Sequence, residues 1–411
     1  MPRFVSSTVL LLAVTTSAAA GDWPQWRGPQ GTGVADEQGV PTEWSATENV
    51  TWKTPLPDEG NSTPIVFGDR VFITQATESG RRRAVMCFDR ADGQLLWDRA
   101  IEYTEDEETH ETNPYCSASP VTDGERVIAW HGSAGIVAYD YRGRELWHVD
   151  LGRFAHIWGN AGSPVLWGEL VILLTGPGPN TYLAALHKRT GEEVWKRDLP
   201  EAQGKDSEEW VGSWSTPVLH TAGDHAELLV GLPGFLTALD PNDGREIWRC
   251  GGLSKLVYTS PLVSGDTVVA MSGYMGPAVA ARTGGEGDVT QSHRLWLVEK
   301  NPQRIGSGVI VGDHIFILNE PAIAHCIELA TGNVVWQQRL GETSWSSMAC
   351  VDGRLYVIDM AGETFILAPE TKFRLLARNS VDELTRASLA FSDGQIFIRT
   401  YENLYCIGQR R

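Results

Sequence analysis

One small cassette recurs eight times along the chain, and that internal periodicity constrains the architecture more than any single residue does. Its openings are Ser62-Thr63-Pro64, Ala118-Ser119-Pro120, Gly162-Ser163-Pro164, Ser215-Thr216-Pro217, Thr259-Ser260-Pro261, Gly306-Ser307-Gly308, Ser346-Ser347-Met348 and Ala387-Ser388-Leu389. The last three lose the proline and keep the serine. After each opening a glycine stands beside an acidic residue, as in Gly68-Asp69, Gly265-Asp266 and Asp393-Gly394, which supplies the positive φ of a tight hairpin turn. Short β-branched and aromatic runs follow, among them Val71-Phe72-Ile73, Val171-Ile172-Leu173 and Ile315-Phe316-Ile317. Bounded by turn signals, such runs read as buried strands.

A second hairpin ends each unit. Its turn is Asp-x-x-Asp/Thr-Gly or close to it, and the strand beyond carries a tryptophan: Asp89 to Gly93 leads to Trp97, Asp240 to Gly244 to Trp248, and Glu328 to Gly332 to Trp336. The fifth copy is stretched by the glycine-rich insert Thr283–Asp288 before Trp296, which is expected to be an inter-blade loop. The seventh copy has no tryptophan, and the eighth stops after Leu404-Tyr405-Cys406-Ile407 without a fourth strand. The missing piece stands at the other end, where Asn49-Val50-Thr51-Trp52-Lys53 precedes the first cassette. The pattern therefore predicts an all-β, eight-bladed propeller of four-stranded antiparallel blades, closed by an N-terminal strand in the last blade so that no sheet edge stays open. Seven of the sixteen tryptophans (Trp52, Trp97, Trp147, Trp195, Trp248, Trp296 and Trp336) share one repeat position and are expected to pack between blades.

Residues 1–20 read as a secretory leader, with Arg3, the apolar run Val9–Val14 and the small residues Ala18-Ala19-Ala20 before Gly21. The expected organisation is a signal peptide over 1–20, a lead-in segment over 21–48 and one propeller over 49–411. An exported product, in a periplasm or outside the cell, soluble and monomeric, with no transmembrane anchor, follows from that reading. Of the six cysteines, Cys87, Cys326 and Cys406 sit at one repeat position in blades one, six and eight, which the ring holds apart. Buried small side chains are expected there instead of a disulfide framework. A formal charge of −18 argues against nucleic acid as a partner.

The cassette, best seen over residues 215–248, resembles the pyrroloquinoline-quinone-type repeat of eight-bladed propellers, and Asp22-Trp23-Pro24-Gln25-Trp26-Arg27-Gly28-Pro29 resembles the lead-in of exported bacterial members of that group. That repeat occurs in quinone-dependent alcohol dehydrogenases and in the propeller subunit of the outer-membrane β-barrel assembly machinery. A dehydrogenase would imply a quinone (PQQ) on an axial tryptophan, beneath a disulfide of adjacent cysteines, with Ca²⁺ held by Glu and Asn and an Asp as base. No two cysteines of this chain are adjacent, no such ligand set can be matched, and no Cys-x-x-Cys-His is present. No cofactor is expected; PQQ with Ca²⁺ belongs to the alternative reading.

The loops before the innermost strands converge on the axis and are rich in aromatic and hydrogen-bonding groups: His110, Asn113, Tyr115, His156, Trp158, Asn160, Trp210, Trp214, Tyr258, Arg304, Trp345 and Arg386. Aromatic walls with a few convergent polar groups suit a small-molecule or sugar site; the same side chains could equally fill a narrowing channel and satisfy one another. The acidic run Glu105-Asp106-Glu107-Glu108 matches no defined Ca²⁺ loop and reads as a solvated turn. Glu111, Asp206, Glu342 and Asp382 are carboxylates near the funnel with no assignable mechanism. Three functions follow in order: a non-catalytic binding or scaffold propeller for a protein or small-molecule ligand, a quinone-dependent oxidoreductase, and a polysaccharide-binding or carbohydrate-active propeller.

Overall fold

A computed structural model describes residues 21–206 and 208–408; the leader-like segment 1–20 lies outside the described residues. Eight four-stranded antiparallel sheets follow one another in chain order around an axis. Blade one comprises Ile65–Phe67, Arg70–Thr77, Arg82–Asp89 and Leu95–Glu102, from the axis outward. Blades two to seven occupy 121–149, 165–198, 218–251, 262–298, 309–339 and 349–380 in the same order. Blade eight takes Ala390–Ser392, Gln395–Arg399 and Asn403–Ile407 from the C-terminal end, and Val50–Pro55 from the other. Trp52 pairs with Cys406 and Lys53 with Tyr405 in antiparallel register, so the expected closure is present.

The middle strands of each blade face a neighbouring sheet on both sides, which is why they read as unbroken apolar runs and not as alternation. Ile65, Phe72, Val85, Cys87 and Trp97 of blade one pack on Val127, Ala129, Val137 and Tyr139 of blade two in one such layer. All six cysteines are buried and unpaired; burial pushes the Cys87 thiol up to about 12, which keeps it protonated and unreactive.

Six repeat tryptophans dock their own blade on the next, at six of the eight junctions. Trp52 Nε1 donates to Arg90 O at 2.7 Å, Trp97 to Tyr141 O at 3.0 Å, Trp147 to Lys188 O at 3.0 Å and Trp195 to Pro241 O at 3.1 Å. Trp296 and Trp336 repeat the bond to Leu329 O at 2.8 Å and Glu370 O at 3.0 Å. In every case the carbonyl lies in the outer turn of the following blade. Trp248 departs from this, because the stretched turn of blade five has moved away. Its indole donates instead to the buried carboxylate of Glu227 at 2.7 Å, which also accepts Gly284 N at 3.0 Å. The insert is thus more than a loop: Gly287–Asp288 adds a parallel fifth strand to the edge of blade four, opposite Trp248 and Arg249.

A ring of hydroxyls joins the blades on the inside. The backbone N–H of Thr63 donates to Ser119 Oγ at 2.9 Å, Ser119 to Ser163 at 3.0 Å, Ser163 to Thr216 at 3.0 Å and Thr216 to Ser260 at 2.9 Å. Ser260 continues to Ser307 at 3.0 Å, Ser307 to Ser347 at 2.9 Å, Ser347 to Ser388 at 2.9 Å, and Ser388 back to Thr63 at 3.2 Å. The hydroxyl residue of every cassette opening is a member, which explains why the serine persists in the three openings that lack proline.

Candidate functional site: a blind axial funnel

The loops that precede the innermost strands surround a cavity of about 640 Å³ on the axis. At its narrow end sits the lead-in, which enters from the face carrying the Gly-Asp turns. Trp23 bridges Val66 of blade one, Thr122 N of blade two donates to Pro24 O at 2.9 Å, and Val34–Ala35 pairs in parallel with Cys350 and Val351 of blade seven. Trp26, between these anchors, forms the floor. The funnel is therefore closed below by an indole that the sequence offered only as part of a family-like lead-in.

Seven of the twelve expected residues line the cavity: Asn113, Trp158, Trp210, Trp214, Tyr258, Trp345 and Arg386. Trp214 and Tyr258 stack with rings 4.8 Å apart and 5° from parallel, and Tyr274 leans on Tyr258 at 4.7 Å. Trp158 and Trp210 meet edge to face at 6.2 Å. Arg386 lies 4.8 Å over the Trp345 ring and bonds the Tyr401 hydroxyl. Asn113 is a brace: its Nδ2 donates to Trp158 O and Asn160 O at 3.1 and 2.9 Å, and its Oδ1 accepts from Ser117.

The other five stand behind the wall. His110 backs Trp158 at 4.4 Å, and the buried His156, its basicity lowered by burial, meets Trp214 edge-on at 5.2 Å. Arg304 pairs with Glu320 at 2.7 Å, whose other oxygen accepts from Trp345 Nε1 at 3.0 Å. Asn160 donates to Phe154 O at 3.3 Å. Tyr115 stacks on Arg83 at 4.8 Å, opposite Tyr103 at 4.7 Å. Arg83 forms a buried 2.9 Å ion pair with Glu107, so one member of the acidic run is not solvated but neutralises this cation. Long side chains in the inter-blade loops reach either the axis or the wall, and residue type alone does not separate the two.

Missed residues include Asn61, Tyr274 and the hydroxyls Thr63, Ser163, Thr216, Ser307, Ser347 and Ser388, all on the cavity surface. The cassette serines carried a signal, since they outlast the proline. Tyr274 and Met275 carried none. They sit at φ 49° and 61°, a strained pair of non-glycine residues at the mouth, and both are about half exposed.

Among the 25 lining residues there is no Asp, Glu, His, Cys or Lys. Glu111, Asp206, Glu342 and Asp382 lie outside the lining, and no metal-ligating cluster occurs among the described residues. Ca²⁺ takes hard, mostly anionic oxygen ligands, so this donor set does not fit a Ca²⁺-bound quinone with a carboxylate base.

Fold and cavity together define a propeller of quinone-type repeats with an aromatic axial funnel. The chain belongs to the family described as "Outer membrane protein assembly factor BamB", whose profile matches residues 32–178, 179–303 and 285–371. Among solved structures it is similar to BamB from Moraxella catarrhalis (15% identity, 87% of this chain and 97% of that chain, TM-score 0.61). It is also similar to quinohemoprotein alcohol dehydrogenase from Comamonas testosteroni (11% identity, 96% and 82%, TM-score 0.68). The computationally designed Ika8 protein matches at 11% identity over 88% of this chain and 99% of that chain, with TM-score 0.61. These likenesses show the fold. No curated protein matches the sequence significantly. No helix among the described residues is long and apolar enough to cross a membrane.

Proposed function

We propose that this is an exported, non-catalytic binding propeller whose blind funnel takes a small molecule between aromatic walls. One observation carries the reading: a cavity of about 640 Å³, of the size ligand sites have, lined by six tryptophan and tyrosine side chains besides the Trp26 floor and by no pair of titratable groups fit for acid–base work. The leader-like residues 1–20 support export. The test is calorimetric titration of the mature protein with a panel of aromatic and carbohydrate compounds, repeated on Trp214→Ala and Trp345→Ala. Binding by the native protein that weakens about tenfold or more in both variants supports the reading. Turnover of a bound compound, or isotherms unchanged by both substitutions, overturns it.

A protein partner is the second reading, and the mouth favours it. Trp210 is 60% exposed, with Tyr274 and Met275 at 47% and 51%, and aromatic and methionine side chains are enriched in protein interfaces. The BamB family description points the same way. Capture of one partner by a cross-linker placed beside Met275, which lies outside the cavity lining, lost on Met275→Asp with the cavity titrations unaffected, would support a function at the rim.

A further inference from the structure

Gly21, the residue after Ala18-Ala19-Ala20, lies at the seam where blade eight meets blade one. Its carbonyl accepts from Ser392 Oγ of blade eight. One residue on, Asp22 Oδ1 accepts from Gly68 N of blade one at 2.8 Å, and Trp23 pairs with Val66 beside it. Gly21 is thus held in place with its α-carbon against the carboxylate of Asp393: a Cβ there would stand 2.2 Å from Oδ1 and 3.3 Å from Oδ2. Nitrogen and Cβ branch from one α-carbon about 2.5 Å apart, which puts the Gly21 nitrogen within about 5 Å of Oδ1.

This corner holds more negative charge than positive. Asp22, Glu37 and Asp393 gather around one cation, Arg90, which pairs with Asp393 Oδ2 at 3.0 Å and also donates to Gly68 O, Ser392 O and Gln395 Oε1. The nearby acids Asp69 and Asp89 face Arg70 instead, at 2.7 and 3.9 Å. Glu37 is buried and accepts from Gly394 N at 3.4 Å. Burial, and after it the charge of Asp393, holds the Asp22 and Glu37 carboxyls above their ordinary range against the pull of those backbone bonds, as crowded like charges do. A second cation at this corner would relieve the repulsion.

While residues 1–20 are attached, the Gly21 nitrogen is a neutral amide. Hydrolysis of the Ala20–Gly21 bond by a leader peptidase changes that. The C–N bond breaks, the oxygen of water goes to the Ala20 carboxylate, and both its protons go to nitrogen, which becomes an ammonium. A free α-amine has a pKa of about 7.7–8.0 and is charged at neutral pH. Resting on the export reading above, we propose that the leader cut is also a folding step: it creates a Gly21 ammonium that pairs with Asp393 and fastens the lead-in, blade eight and blade one together at the seam. A side chain at this position would displace that carboxylate, so the pair requires glycine.

Intact mass of the protein in the exported fraction comes first. The expected chain begins at Gly21; a start at any other residue overturns the inference while the export reading stands, and a chain that keeps residues 1–20 overturns both. On the mature protein the α-amine is then acylated with limiting acetic anhydride at pH 7, beside the peptide Gly-Asp-Trp-Pro. Ion pairing should slow the reaction about tenfold or more, the equivalent of one pKa unit, and Asp393→Asn should restore most of the peptide rate. Peptide-like reactivity in the native protein, or a slow rate that Asp393→Asn leaves unchanged, overturns the proposal. If Asp393→Asn folds poorly, a chain that starts at Ala20 serves instead, because its charge stands one residue away. It should unfold at a lower urea midpoint than the Gly21-start chain at pH 7. An ammonium with a raised folded-state pKa contributes stability that is lost as pH rises through that value, so the two midpoints should converge above about pH 9. Equal midpoints at pH 7, or a gap that persists in base, overturns the pairing.

Discussion

The backbone N–H of Ser388 donates to Thr63 Oγ1 at 3.2 Å, and this contact joins the last cassette opening to the first. It is the longest of the eight bonds in the ring and lies at the seam where the two ends of the chain meet. On the outside, the same seam is held by Trp52, which reaches from the N-terminal strand to Arg90 O of blade one. Besides the strand pairing inside blade eight, the last blade is thus joined to the first twice, by a hydroxyl near the axis and by an indole at the rim.

Each ring bond satisfies a buried N–H, so removing one hydroxyl leaves a donor without a partner. In Ser163→Ala the N–H of Ser119 is orphaned, and a loss of about 1–3 kcal/mol is expected in urea unfolding. Ser163→Thr keeps the oxygen, as Thr63 and Thr216 already do in this ring, and is expected to stay within about 0.5 kcal/mol of the native protein. Similar losses in the two variants would show that packing, not the hydrogen bond, decides this position.

Glu383 fastens the closing strand. It accepts from Lys53 Nζ at 2.7 Å, from Asn403 Nδ2 at 2.9 Å and from the Tyr405 hydroxyl at 2.6 Å, with Thr400 at 2.5 Å on its other oxygen. Burial alone raises its pKa, but the bonds from Lys53, Thr400, Tyr405 and Asn403 outweigh that and hold it below the ordinary 4.5. A carboxylate with a depressed folded-state pKa contributes stability above its unfolded value, and that contribution is lost as pH falls through the folded value. Glu383→Gln should therefore be destabilised at neutral pH, and the gap to the native protein should close in acid below about pH 4. Urea midpoints that keep a constant gap from neutral pH to acid would contradict the assignment.

His131 titrates with the same acid signature for a different reason. Both its ring nitrogens are buried without partners, and burial, then the charges of Arg83 and His148, push its pKa down from 6.5 to about 3. Below 6.5 the unfolded chain takes up a proton that the folded site refuses, so stability falls as pH drops from 6.5 toward 3. His131→Leu should remove that slope, leaving the variant on the order of 2 kcal/mol better off, relative to native, at about pH 4.5 than at neutral pH. Parallel pH profiles for the two proteins would rule this out.

Blade number, strand order and closure were all legible in the cassette, because turn glycines, apolar runs and docking tryptophans are local signals repeated eight times. The wall aromatics Trp158, Trp214 and Trp345 were legible from their place before an innermost strand. The plug was not. Trp23, Trp26 and Val34 form no periodic pattern, and their partners Val66 and Cys350 stand far along the chain, so only the closed ring shows where the lead-in goes. Tyr115 and Arg304 misled for a related reason: a loop residue before an innermost strand can turn outward onto Arg83 or Glu320. The acceptor swap at Trp248 was equally hidden, since Glu227 sits in a strand where a carboxylate gives no hint of an indole partner.

Whether the repeat tryptophans hold the ring by docking can be separated from ordinary turn strain with two glycines. Gly93 has φ 74°, and a Cβ there would come within 2.5 Å of the Trp52 ring; Gly312 has φ 56° with nothing within 4 Å. An alanine at either position bears the left-handed conformation, worth about 1–2 kcal/mol. At Gly93 it must also displace the indole or the blade beneath it, which adds about 1–3 kcal/mol of overpacking. Gly93→Ala should thus lose clearly more stability than Gly312→Ala, and trimming the ring in Trp52→Leu should recover part of the excess as a coupling energy in the double variant. Equal losses at the two glycines, with no coupling to Trp52, would leave the indole as filler and place the cohesion of the ring in the hydroxyl bonds alone.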